Sequence, residues 1–68
     1  MVEVFKTNIE SRQEAERIRK LLIDYLPHCQ VNFDLDDCDK VLRIEGFVFA
    51  AKVIEVIKEH NYQCEVLE

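Results

Sequence analysis

A chain of 68 residues is one domain at most, and with 49 % apolar residues it has the composition of a packed globule rather than a disordered tail. A formal charge of −5 opposes nucleic acid and anionic membrane surfaces, and no apolar run approaches the roughly 20 residues of a membrane span. Three cysteines without a C-x-x-C spacing, behind a start that lacks a basic segment and a long apolar stretch, give the expectation of reduced thiols in a cytoplasmic protein.

VEVFKT (2–7) is rich in β-branched and aromatic residues and predicts a first strand. From Ser11 the period changes. Ala15, Ile18, Leu21, Leu22, Tyr25 and Leu26 recur at three and four, with Arg12, Glu16, Arg17, Arg19 and Lys20 on the other face, so an amphipathic helix is predicted and Pro27 ends it. Val31, Phe33 and Leu35 alternate with Asn32 and Asp34 as a second strand. DDCDK (36–40) is a polar turn, and VLRIE (41–45) alternates again, so the two runs read as a hairpin that Gly46 closes. Ala50, Val53, Ile54, Val56 and Ile57 mark a second helix to about His60, Asn61 is a left-handed stop, and QCEVLE (63–68) is a fourth strand.

The order β-α-β-β-α-β over residues 1–68 predicts a single α+β domain: a ferredoxin-like sandwich, with a four-stranded antiparallel sheet in order 4-1-3-2 and two helices on one face. That topology gathers the loop Asn8–Ser11, the hairpin tip Asp36–Asp39 and the turn His60–Tyr62 at one end. Pro27, His28, Gly46 and Phe47 fall at the other.

Ser11 and Glu14 have capping-box spacing: the hydroxyl accepts from the third helical N–H, and the carboxylate reaches back while complementing the helix dipole. Asp34, Asp36, Asp37 and Asp39 are the right atoms for Ca²⁺ but lack the glycine and distal glutamate of an EF-hand loop, so a solvated turn is expected. His28 and His60 lie at opposite ends and cannot share a metal. Cys64 alternates with Val66 and reads as a small core hydrophobe. Cys38 is at the tip of an acidic turn with Lys40 as its one basic neighbour, which is no setting for a nucleophile. No Ser-His-Asp arrangement, phosphate-cradling loop or isolated carboxylate pair occurs, so neither catalysis nor a cofactor is expected. Phe5, Tyr25, Phe33, Phe47, Phe49 and Tyr62 are expected mostly at core or boundary positions, without the basic interleaving of an RNA-binding sheet.

Ile9, Ile18, Leu22, Leu26-Pro27, VLRIEG (41–46) and VIEVIKEHNY (53–62) together resemble the heavy-metal-associated domain, and FKTNI (5–9) is similar to the opening of some bacterial members. The family carries copper or zinc on G-M-x-C-x-x-C at the junction of its first strand and helix. Ile9 falls at the Met, and the two thiolate positions are Ser11 and Glu14. The resemblance therefore implies the fold over nearly the whole chain, but with a degenerate metal site, because Ser is a poor ligand for a soft ion and Glu is a hard one.

The expected function is a non-catalytic interaction module on this scaffold, with an unknown protein partner, no nucleic acid and no membrane. The expected surface is the end carrying Glu10, Ser11, Glu14, Asp36, Asp37, Asp39 and Tyr62. The uncovered sheet face is a second candidate, and the edge strands allow a monomer or a weak homodimer. No metal is expected. The alternatives are residual metal binding or transport through Glu14 and His60, joined by Cys38, and small-ligand sensing at a dimer interface.

Overall fold

A computed structural model describes residues 1–67. Its elements are β1 (Val2–Thr7), α1 (Arg12–Tyr25), β2 (Gln30–Asp34), β3 (Val41–Glu45), α2 (Ala50–Glu59) and β4 (Cys64–Val66). The sheet runs β2-β3-β1-β4 with every neighbouring pair antiparallel, which is the expected α+β ferredoxin-like order read from its other edge. Alternation decides which side is covered. Phe5, Thr7, Val31, Leu42, Ile44 and Cys64 are buried on the helix side, while Lys6, Asn32, Arg43 and Glu65 are exposed on the other.

The core between sheet and helices is closed by Phe5, Ile9, Ile18, Leu22, Leu42, Ile44, Val53 and Ile57, all under 2 % exposed. Each helix contributes one stripe: Ala15, Ile18 and Leu22 from α1, and Val53, Val56 and Ile57 from α2. Among the described residues no helix is long and apolar enough to cross a membrane.

The boundaries depart from the sequence expectation where local hydrogen bonds intervene. Leu35 falls outside β2, because the Asp34 carboxylate accepts from the Asp36 N–H (3.2 Å) and starts the turn. The Gln63 N–H donates to the Asn8 side-chain oxygen (2.8 Å), and β4 begins one residue later. The expected end of that strand at residue 68 lies outside the described residues. Asn61 is left-handed, with φ 69°, as the stop predicts.

Three aromatics expected at core or boundary positions are instead exposed. Tyr25 is 57 % exposed because α1 ends there, beyond the last core residue of its stripe. In the extended segment after β3 the buried position goes to Val48, so Phe47 and Phe49 point outward. They pack on each other edge to face, with centroids 5.6 Å apart. Gly46 has φ +130°, and a Cβ there would stand 2.7 Å from the Cys29 Sγ, so only glycine fits between β3 and the start of β2.

Candidate functional site

The acidic end is organised by Thr7, a buried polar residue on the core side of β1. Its hydroxyl donates to the Lys40 carbonyl (2.6 Å) and accepts from the Ile9 N–H (3.2 Å), and its own N–H donates to the Asp39 carbonyl (3.0 Å). One residue thus ties the loop before α1 to the tip of the β2–β3 hairpin. The hairpin reinforces itself. The Asp37 carboxylate accepts from the Asp39 N–H (2.8 Å), and Lys40, left-handed at φ 46°, folds its ammonium onto the Leu35 carbonyl (3.0 Å). The bond from Gln63 to Asn8 brings the turn after α2 to the same place.

Ser11 caps α1 as its spacing predicts, accepting from the Glu14 N–H at 3.0 Å. The Glu14 carboxylate makes a further connection. It accepts from the Tyr62 hydroxyl at 2.6 Å, and Tyr62 accepts in turn from Arg17 Nη2 at 2.9 Å. The Tyr62 bond holds the Glu14 carboxyl below the usual carboxylate range, helped by the hydroxyl and then the backbone N–H of Ser11 and, more weakly, by the Arg17 charge. The same bond raises the Tyr62 phenol above its ordinary value. Tyr62 is half-buried in this chain of bonds, while Glu10, Ser11, Asp36 and Asp37 are exposed. Asp39 is half-buried, with Lys6 Nζ at 3.8 Å.

The structure therefore assembles Glu10, Ser11, Glu14, Asp36, Asp37, Asp39 and Tyr62 at one end and divides them by task. Glu14 and Tyr62 lock α1 to the turn before β4, and the remaining carboxylates stand around the tip. Among the described residues, one trio of possible metal ligands lies within 4.8 Å: Asp37, Cys38 and Asp39 on the exposed tip. Glu14 and His60 are not part of it. His60 Nδ1 donates to the Val56 carbonyl at 2.9 Å, and His28 Nε2 lies 3.3 Å from the Phe47 carbonyl at the other end. Cys29, Cys38 and Cys64 are all free thiols.

Sequence reasoning missed Thr7, Lys40 and Arg17. Thr7 left a signal, since it shares the inward alternation of Phe5, and a polar residue at a core position needs partners. Arg17 stands three residues after Glu14, on the same side of the helix. Nothing local marks Lys40 as left-handed. In comparisons with known proteins, no family model, no curated protein and no solved structure matches the chain.

Proposed function

We propose that the chain is a non-catalytic interaction module on a degenerate heavy-metal-associated scaffold, and that its acidic end receives a basic region of a partner protein. The observation that carries this reading is the Thr7 latch. It fixes the loop holding Glu10 and the hairpin holding Asp36, Asp37 and Asp39 into one preformed acidic surface. Preformed charge favours encounter with a partner of opposite sign, without the ordering penalty of a mobile loop.

The test replaces Asp36, Asp37 and Asp39 together by Asn, which keeps the accepting oxygen that Asp37 offers to Asp39. The fold should change little, because substitutions at the exposed Asp36 and Asp37 usually shift stability by within about 0.5 kcal/mol each, and half-buried Asp39 loses only a surface ion pair to Lys6. Pull-downs from the native lysate at low and moderate salt compare the two proteins. Loss of salt-sensitive partners by the triple variant is the expected result. Recovery of the same partners by both proteins at both salts removes the acidic end from consideration and returns attention to the open sheet face.

A further inference from the structure

Beside the hairpin, between the first half of α1 and the outer side of β2, runs an open groove of about 470 Å³. Its floor includes Ala15, Phe33 and Leu35, and its rim includes Glu10, Asp34 and Asp36 together with Arg12 and Arg19. The ladder shows what β2 offers this groove. The Gly46 N–H donates to the Met1 carbonyl (2.8 Å), which turns the even-numbered residues of β3 toward β1. The odd-numbered Val41, Arg43 and Glu45 therefore bond to Asp34, Asn32 and Gln30 of β2. In an antiparallel ladder the N–H and C=O of one residue point the same way, so those of Val31 and Phe33 face outward. Arg19 confirms the direction: its Nε donates to the Val31 carbonyl (3.0 Å), while its Nη1 is held by Glu16 (3.1 Å). The outward N–H and C=O of Phe33 have no such cover among the described residues.

We infer that β2 is a docking edge, and that the occupant is an extended, lysine- or arginine-containing segment of a partner protein that adds as a further strand beside Phe33. This deepens the acidic-end reading and rests on it. Strand addition supplies backbone hydrogen bonds, and alternate side chains supply selectivity. The lining carries four carboxylates, Glu10, Glu16, Asp34 and Asp36, against the two guanidiniums of Arg12 and Arg19, so its net negative charge favours a basic segment. Arg19 is engaged by Glu16 and Val31, whereas Glu10, Asp34 and Asp36 form no ion pair among the described residues. A second copy of this chain is a poorer fit, because it would bring another −5 to the same place.

The test titrates the isotopically labelled full chain with a short, end-blocked peptide of alternating lysine and valine, followed by amide NMR. A control peptide keeps every lysine but carries proline at each valine, so it has the same charge and cannot form a strand. The expected result is shifts confined to residues 31–36 and the facing part of α1, slowed exchange of the Phe33 amide, and roughly tenfold weaker binding of the control, the loss of one or two backbone hydrogen bonds. The double variant Glu10→Lys plus Asp36→Lys, at two exposed positions, should stay folded and bind the first peptide more weakly. Equal binding of both peptides at the hairpin tip, with no protection of Phe33, overturns strand addition and leaves the acidic-end reading standing. Silence of every amide toward both peptides overturns both. Shifts of the same amides on changing the concentration of the protein alone assign the edge to a second copy and overturn the proposal.

Discussion

The Tyr62 hydroxyl donates to the Glu14 carboxylate at 2.6 Å across 48 residues of sequence. This bond turns what reads as a purely local helix start into a tertiary clamp between α1 and the turn before β4. Because it favours the ionised carboxyl, Glu14 releases its proton at lower pH in the folded chain than in the unfolded one. The clamp's contribution is therefore present above the ordinary glutamate range and is lost as pH falls through the lowered folded value. The raised phenol of Tyr62 acts in the other direction: its contribution is present below the ordinary tyrosine range and lost as pH rises. Tyr62→Phe should move the Glu14 titration upward toward an unperturbed glutamate, read from the side-chain carboxyl resonance. An unchanged titration would mean that Ser11, not Tyr62, sets the proton affinity.

Thr7 offers a sharper stability test, because its hydroxyl is buried and has two partners. Thr7→Val keeps the shape and leaves both the Lys40 carbonyl and the Ile9 N–H without that partner. The expected loss is about 1–3 kcal/mol in denaturant unfolding, the usual penalty for stranding buried polar groups. Fast exchange of the Ile9 amide should accompany it. A variant as stable as the parent, with Ile9 still protected, would show that water replaces the hydroxyl and that the hairpin is not latched.

The fold was legible from periodicity because the helix and strand patterns in this chain do not overlap. Ala15, Ile18 and Leu22 space as a helix, while Leu42 and Ile44 space as a strand, and each lands on the side facing the core. The acidic end was legible as a place, since topology alone brings Glu10 to Asp36. Its internal wiring was not. That the Glu14 carboxylate, besides facing Ser11, also accepts from Tyr62 depends on the distance between two elements far apart in sequence. Phe47 and Phe49 misled for a related reason: composition marks them as core, but only the path of the chain after Gly46 decides that Val48 takes the inward position.

Cys64 gives an alkaline signature. Burial pushes its thiol up to about 11, with Lys58 opposing and Glu65 adding slightly. A raised folded value means that the contribution is complete below the ordinary thiol value of 9.0 and is lost as pH rises from there to about 11. About 1–3 kcal/mol should disappear over that window. Cys64→Ala should flatten the alkaline limb relative to the parent in denaturation at matched pH. An alkylating reagent should label exposed Cys38 in the native protein and reach Cys29 and Cys64 only on unfolding. Rapid native labelling of Cys64 would mean that β4 opens far more readily than its packing implies.

The proposed descent from a metal carrier can be tested by restoring what is missing. The Ser11 hydroxyl lies 3.0 Å from the Glu14 backbone N–H, so the side chain of residue 11 already points at residue 14 across the first turn of α1. Ser11→Cys together with Glu14→Cys places two thiols there, where the positive end of the helix favours the thiolates that bind metal. Both single changes have a structural consequence: the first removes the cap, which typically costs about 0.5–2 kcal/mol, and the second releases Tyr62. The double variant should therefore be less stable without metal and regain stability when Cu(I) binds, because a ligand that binds only the folded state stabilises it. The measurement is competition against a moderate Cu(I) chelator, with thermal melts alongside. The parent chain should leave the ion with the chelator, since a hydroxyl and a carboxylate are poor partners for a soft cation. The double variant should withdraw it and melt higher in its presence. A folded double variant that captures no Cu(I) would show that the alignment to the carrier family is misplaced at this loop, and the acidic-end reading would then have to stand on the Thr7 latch alone.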